Sequence, residues 1–360
     1  MISWAVPSQM GTRGESLKAV CWGILGTGAM AEQFTEALLT LPDAIVGGVV
    51  SRTRGRADEF AARFGVKRSF QNVETLLADP AIEIVYIATR NEHHKEDTLA
   101  ALNAGKAVLC EKPFALTAAE GRVVIETARR LKLFCMEAMW MRFSPSVREL
   151  QNLVKSGQIG SPQIISAQFG VSIPFNRDHR VFANPGGGSL YDLGVYPVSL
   201  TQLLLGKPKQ VSSWACMGET GVDEQFTAML QYESGTQAMI AASLRTNLSN
   251  DAQVFGSEGR ANLVGGIYFP SGCQVEMNET SQNSEQRAGI GRKVWSRVAR
   301  LVPRYSEKKW KASSIREGYA CEAKAVQRSI RSGSLECPEM SLSDTLEVLE
   351  IMDEIRSHWV

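Results

Sequence analysis

Three short stretches of this 360-residue chain combine residue types that can do chemistry. Gly26-Thr27-Gly28-Ala29-Met30-Ala31 matches the pattern G-x-G-x-x-G/A. Gly26 permits a tight turn, Gly28 lets the backbone approach a pyrophosphate, and Ala31 is small enough for a helix to pack on a strand. A helix opening there offers unpaired N–H groups and a positive dipole end to an anion. The second stretch, Glu111-Lys112-Pro113, follows an apolar run, where a charged pair is costly unless it is paired or functional. In the third, Asp192 and Tyr196 stand four residues apart, on one helical face after the flexible turn Gly186-Gly187-Gly188-Ser189. Oxidising an alcohol requires removal of its proton as hydride leaves, and tyrosine, with a reference pKa of ~10, is a poor base unless a nearby ammonium lowers that value. Tyr196 is therefore expected as general acid/base, Lys112 as its electrostatic partner and substrate hydrogen-bond donor, and Asp192 as orienting group.

The residues after the second strand indicate which dinucleotide would bind. An NAD site usually has Asp or Glu about 20 residues beyond the glycines, bonding the ribose 2′-OH. Here the chain reads Ser51-Arg52-Thr53-Arg54-Gly55-Arg56, with no acid before Asp58. Arg52 can pair bidentately with a 2′-phosphate, Ser51 can donate to it and Arg56 adds charge, so NADP(H) is expected over NAD(H).

These residues need a frame, and hydrophobic periodicity supplies one. Strands are expected at 19–25, 44–50, 84–88, 107–110 and 133–136, with helices at 29–41, 54–64, 72–78, 92–104 and from Thr117, where Glu120 stands at capping-box spacing. That alternation means a doubly wound parallel sheet, an α/β Rossmann domain over residues 19–138 after a tail at 1–18. Beyond 139 the strands come in a run, at 162–173, 210–217, 225–232, 236–245 and 252–255. That pattern predicts an α+β domain to residue 360, built on a large, mostly antiparallel open sheet and partly covered by helices at about 315–331 and 341–359. A sheet face left without a cover predicts a homodimer through it.

Composition excludes several classes. The 39 Lys+Arg against 38 Asp+Glu give a net charge of +1, which provides no field for nonspecific nucleic-acid binding. No apolar run approaches the ~18–20 residues of a membrane span, and residues 1–16 do not read as a secretory signal. The seven cysteines (21, 110, 135, 216, 273, 321, 337) are scattered, with no metal-ligand spacing, and are expected as buried small hydrophobes in a cytoplasmic protein. One segment departs from neutrality: residues 292–311 carry eight basic residues against Glu307, interleaved with Trp295 and Trp310. It reads first as a solvated face of the second domain, and second as a contact for an anionic partner.

Taken in order, the glycine fingerprint, Ala88-Thr89-x-Asn91-x-x-His94, Cys110-Glu111-Lys112-Pro113 and Asp192-Leu193-Gly194-Val195-Tyr196 resemble the Gfo/Idh/MocA oxidoreductase family. Met136-Glu-Ala-Met-Trp140-Met-Arg142-Phe143 and Gly318-Tyr-Ala-Cys-Glu322 are similar to its dimeric dihydrodiol dehydrogenase and D-xylose dehydrogenase branch. The resemblance spans about 20–359. It implies cofactor contacts from Thr89, Asn91, His94, Glu111 and Lys112, with His94 beside the nicotinamide; His93 is expected to face solvent. Arg90 departs from the family's usual proline, on the nicotinamide side. Trp140, Arg142 and His179 are expected at the substrate pocket wall. The implied activity is hydride transfer between a nicotinamide and the carbinol or carbonyl carbon of a sugar, polyol or cyclic diol. A sugar ketone or aldehyde reductase of the glucose-fructose oxidoreductase type and a non-catalytic NADP-binding regulator are the alternatives.

Overall fold

The computed structural model describes residues 18–53, 55–278 and 315–359, together with the backbone of 305–309. The first part alternates β1 (Val20–Leu25), α1 (Ala29–Leu38), β2 (Ala44–Val50), α2 (Arg56–Phe64), β3 (Ser69–Phe70), α3 (Val73–Leu77), β4 (Ile84–Ile87), α4 (His94–Asn103), β5 (Ala107–Glu111), α5 (Ala118–Leu131) and β6 (Cys135–Ala138). All strands pair in parallel, in the order β3-β2-β1-β4-β5-β6. The order in which strands are added reverses between β1 and β4, and ligands of such sheets bind at the carboxyl ends beside that point. Strand residues are apolar on both sides because helices cover both faces. Trp22, Phe34 and Tyr86 pack on one face and Val85, Ile87 and Val108 on the other.

The expected capping box at Thr117 is only half formed. Thr117 accepts from the Glu120 N–H at 3.2 Å, while the Glu120 carboxylate turns to the Leu116 N–H at 3.0 Å. The reciprocal box stands instead at Ser341 and Asp344.

The second part runs α6 (Pro145–Lys155), β7 (Pro162–Gly170), α7 (Val195–Leu205), β8 (Gln210–Met217), β9 (Asp223–Gln231), β10 (Gln237–Ser243), β11 (Ala252–Gly256), β12 (Gly259–Val264), β13 (Gly272–Met277), β14 (Tyr305–Lys309), α8 (Ile315–Arg331) and α9 (Leu342–Ser357). Its eight-stranded sheet has the order β14-β13-β12-β11-β7-β10-β9-β8, antiparallel except for β7 beside β10. The sheet extends beyond the expected strands by β12, β13 and β14, and α6 is likewise additional. Strand β14 lies in the basic segment, so 305–309 is an edge strand of the second sheet; the rest of 292–311 lies outside the described residues.

One expectation fails more substantially. Helix α8 does not cover the second sheet but returns to the first domain and packs on α1. There the Tyr319 ring meets Phe34 edge-on at 6.0 Å, Arg316 pairs with Glu36 at 2.8 Å and Gln327 donates to the Asp43 carbonyl at 3.1 Å. Helix α9 bridges both parts: Asp353 accepts from the Ala118 N–H at 2.8 Å, and the Ile355 carbonyl accepts from Ser213 at 2.6 Å.

Of the cysteines, 110, 135, 273 and 337 are buried as expected, Cys21 is half-buried, and Cys216 and Cys321 are exposed; none of the seven is in a disulfide. Among the described residues no helix is long and apolar enough to cross a membrane, and no group of three His, Cys, Asp or Glu is placed to hold a metal.

Candidate active site

The glycine turn sits at the carboxyl edge of the first sheet. Gly26 has φ of +116°, and a Cβ there would lie 2.4 Å from the Ala88 carbonyl oxygen, so only glycine fits between β1 and the end of β4. A Cβ on Gly28 would meet nothing within 4 Å, because that side of the turn faces an open cleft. No side chain caps α1, which leaves its first N–H groups directed at the cleft. Thr27, Ala29, Met30, Ser51, Arg52, Arg56, Thr89, Asn91, Glu111 and Lys112 line the same cleft. An anionic dinucleotide fits this donor set of unpaired N–H groups, hydroxyls and basic side chains.

Several side chains occupy other positions than expected. Arg52 is paired with Asp97, a carboxylate that also accepts from Thr89 Oγ1 at 2.7 Å, so this guanidinium is already held at one edge. His94 is buried and does not line the cleft. Its ring sits between the Pro113 carbonyl at 2.7 Å and the Thr89 carbonyl at 3.2 Å, which ties the end of β4 to the end of β5, and burial pushes its pKa down. The neighbouring His93, expected to face solvent, lines the cleft instead. Arg90 also reaches it and pairs with Glu92 at 2.8 Å.

Arg142 is not a pocket wall. It is 2% exposed and donates to Ser199 Oγ at 2.9 Å, the Ser199 carbonyl at 3.1 Å and Gln202 at 2.5 Å. It knits residues 140–143 to α7, as a buried guanidinium must when it needs several acceptors. Trp140 is also buried, stacked on Tyr319 at 5.2 Å. His179 is exposed and accepts from the Val181 N–H at 3.4 Å, capping a short turn.

The side chains expected to carry the chemistry converge on Lys112. Its Nζ donates to the Asp192 carbonyl at 2.8 Å and lies 3.9 Å from the Asp192 carboxylate and 5.1 Å from the centre of the Tyr196 ring. Asp192 belongs to a π-helical turn, Leu190–Gly194, and Tyr196 to the start of α7, so the regular i, i+4 helix is replaced by a wider turn that still brings both to Lys112. The glycines before it are not flexible spacers: a Cβ on Gly187 would lie 2.5 Å from the Ala183 carbonyl, so close packing selects glycine there.

Electrostatics also differ from expectation in one respect. Burial and the nearby Glu111 push the Tyr196 phenol far above its usual value, and its oxygen accepts from Trp140 Nε1 at 3.1 Å. Lys112 faces the ring rather than the oxygen, so it does not draw the phenol down, and Tyr196 stands protonated. Burial lowers the Lys112 pKa while Asp192 opposes that fall. Burial works against the Asp192 charge, but Lys112 and Arg180 outweigh it and hold the carboxyl below its usual range.

Arg180 is a site residue that sequence reasoning missed. It lines the cleft and pairs with Asp192 at 2.7 Å. Its only signal was a place in the polar loop before the glycines. Buried carboxyls were missed as well. Glu137 accepts from the Phe114 N–H at 3.1 Å, and burial pushes its pKa up to about 7. Burial likewise raises Glu322, which is fully buried. An acid whose folded pKa exceeds its unfolded value holds its proton in the native state, so that stability is present below the unfolded pKa of ~4.3 and is lost as pH rises through about 7. Thermal melts are therefore expected to show a lower Tm at pH 8 than at pH 5.5, with a difference of up to a few kcal/mol, and Glu137→Gln should flatten that slope. An unchanged slope in the variant would remove Glu137 as its source.

Comparison with known proteins agrees with this architecture. Residues 20–139 match the model of the oxidoreductase family with an NAD-binding Rossmann fold, and residues 147–262 match the GFO/IDH/MocA C-terminal domain. The chain is 33% identical over 353 residues to trans-1,2-dihydrobenzene-1,2-diol dehydrogenase of Mus musculus, covering 94% of this chain and 96% of that protein. The Homo sapiens protein of the same name is 33% identical over 342 residues, with the same coverage. In fold it is similar to a 3-ketoreductase from Actinomadura kijaniata in complex with NADP, with a TM-score of 0.80 at 23% identity over 95% of this chain and 98% of that one. A levoglucosan dehydrogenase in complex with NADH and L-sorbose gives a TM-score of 0.82 at 20% identity, over 95% of this chain and 97% of that one. With both family models matched and 94% of its length aligned with these dehydrogenases, the chain belongs to the Gfo/Idh/MocA family of oxidoreductases.

Proposed function

We propose that the protein transfers hydride reversibly between nicotinamide C4 and the carbinol or carbonyl carbon of a sugar, polyol or cyclic diol, with NADP(H) preferred. The observation that carries this reading is the placement of Lys112. It lines the cleft that holds the glycine turn, and Asp192 and Tyr196, buried and outside that lining, pack against it. The bound nicotinamide supplies or accepts the hydride. In reduction, the protonated Tyr196 phenol gives its proton to the substrate carbonyl oxygen, while the Lys112 ammonium stabilises the charge developing on that oxygen. In oxidation the same phenolic oxygen takes the hydroxyl proton back. Asp192, itself held by Arg180, keeps Lys112 aimed and charged.

The names of the relatives favour a diol or sugar substrate, since the relatives similar in sequence are diol dehydrogenases. The absence of an acid before Asp58, with Arg52 and Arg56 at the cleft, favours the 2′-phosphate. The test is a panel of aldoses, ketoses, inositols and cyclic diols with NADP⁺ and NAD⁺, and of the carbonyl forms with NADPH and NADH, followed at the nicotinamide absorbance band. NADPH is expected to bind at least tenfold tighter than NADH, about 1.4 kcal/mol. Parity between them would overturn the NADP(H) preference, and silence across the panel would overturn the enzymatic reading in favour of a cofactor-binding regulator.

The outer face of the second sheet supports a homodimer. Met229 on β9 stands opposite Met239 on β10, with Ile164 and Trp214 on neighbouring strands, and these four are 38%, 43%, 41% and 68% exposed. An apolar patch of this kind on one open sheet face is what a second copy would cover. Light scattering is expected to give a dimer, and Met229→Lys with Met239→Lys is expected to give a monomer. A monomeric wild type would end this part of the proposal. Scattered cysteines, none in a disulfide, favour a reducing compartment such as the cytoplasm.

A further inference from the structure

Asp223 opens β9 and is 5% exposed, and no step of the proposed chemistry uses it. Its Oδ2 accepts from Ser189 Oγ and from the Leu190 N–H, both at 2.7 Å. Gly188 just before them has φ of +110°, and a Cβ there would lie 2.2 Å from Asp223 Oδ1. Three successive residues are thus shaped around one carboxyl group. They lead into the π-helical turn Leu190–Gly194. A π turn is rare and occurs mostly as a single turn at functional sites, so it depends on tertiary contacts to persist. At its other end, a Cβ on Gly194 would lie 2.5 Å from the Phe226 ring, which is also on β9. The turn is therefore seated on β9 at both ends. Between those ends, the Asp192 carbonyl accepts from Lys112 Nζ at 2.8 Å.

We infer that Asp223 is a positioning residue for the reaction: as a hydrogen-bond acceptor it anchors the π-helical turn on β9, and so fixes where Asp192 and Tyr196 stand relative to Lys112. It touches neither substrate nor cofactor, and it acts through the turn. Acceptor geometry is what the turn requires, since both bonds end on one oxygen. An amide oxygen in the same place accepts both, whereas a methyl group accepts neither. The inference rests on the oxidoreductase reading for its kinetic consequence, but not for its structural one.

The test compares Asp223→Ala, Asp223→Asn and Ser189→Ala in the full chain, with two readouts. Hydrogen exchange of segment 186–196 is expected to speed up at least tenfold in Asp223→Ala and to stay near wild type in Asp223→Asn, with α1 unchanged in both. Ser189→Ala, which removes one of the two bonds and is the milder variant if Asp223→Ala folds poorly, is expected to fall between them. In steady-state kinetics, kcat is expected to drop 10–100-fold in Asp223→Ala and to return to within about threefold in Asp223→Asn, with KM for the cofactor unchanged throughout. Unaltered exchange in both Asp223→Ala and Ser189→Ala, failure of Asp223→Asn to restore it, or a kcat loss matched by lost cofactor affinity would overturn the inference. A wild type silent on every substrate defeats the oxidoreductase reading instead, and the exchange comparison still decides the anchoring.

Discussion

Replacing Tyr196 with phenylalanine is expected to lower kcat by about 10²–10⁴-fold while leaving cofactor affinity nearly intact, the range ascribed to a positioned proton donor. The ring is buried, packs edge-on against Phe169 at 5.5 Å and has Lys112 over its face, and a phenylalanine ring would keep all of these contacts. Only the oxygen is lost. It has two roles: it holds the proton that burial keeps in place, and it accepts from Trp140 Nε1. The second role has a measurable cost, because an indole N–H left buried without a partner destabilises by roughly 1–3 kcal/mol. Melting curves and cofactor titrations must therefore accompany the kinetics. A variant that binds cofactor normally, melts a few degrees lower and turns over at a hundredth of the rate or less fits the proton-donor role. Turnover within tenfold of wild type would exclude Tyr196 as the acid.

The second large effect is expected from Lys112→Met, which keeps the stem and removes the ammonium. Loss of one preorganised donor at a developing oxyanion costs about 10²–10³ in kcat. Here the loss is compounded, because the ammonium also partners Asp192. Without it, Arg180, with a smaller contribution from His179, is left to oppose the burial that works against the Asp192 charge, so the Asp192 pKa moves upward toward its usual range. The variant is thus expected to lose at least 10²-fold in kcat and to gain a new dependence on pH on the acid side, where protonation of Asp192 frees the turn. Lys112→Arg should recover little, because a planar fork cannot occupy the place of a point charge between one carbonyl and one carboxylate. A loss of only a few fold in Lys112→Met, with cofactor binding intact, would dismiss Lys112 from the chemistry.

Much of this site could be read from the chain because its parts are local. The turn at Gly26 and Gly28, the strand-end Glu111-Lys112-Pro113 and the spacing of Asp192 and Tyr196 each lie within a few residues, where backbone geometry and residue type constrain one another. The features that escaped notice are all set by contacts across long separations. Arg180 gains its role only when loop 176–188 folds over the cleft, where Asn91 donates to the Gly186 carbonyl at 2.8 Å. Arg142 was expected at the pocket wall, within the stretch that carries the family resemblance. Its acceptors, Ser199 and Gln202, lie 57 and 60 residues away and give it a structural one. Arg52 was expected to await a phosphate, since nothing near it in sequence announces Asp97. The π turn was invisible for a different reason. Its residues have ordinary helical character, and the extra residue is imposed by Asp223 and Phe226 from another strand.

Helix α8 has one more bearing, on how this molecule can be divided. The chain leaves the first domain at β6, builds the second sheet, and then sends α8 back to cover α1, with Tyr319 reaching Phe34, Met30 and Trp140. The unit that holds the dinucleotide is thus assembled from both ends of the polypeptide. A fragment ending near residue 140 would present the outer side of α1 to water, and a hybrid that grafts a foreign second half onto residues 1–139 would carry a mismatched strap. Exchanging substrate domains between relatives therefore calls for a cassette with two seams, one after β6 and one before α8, so that the first domain keeps its own closing helix.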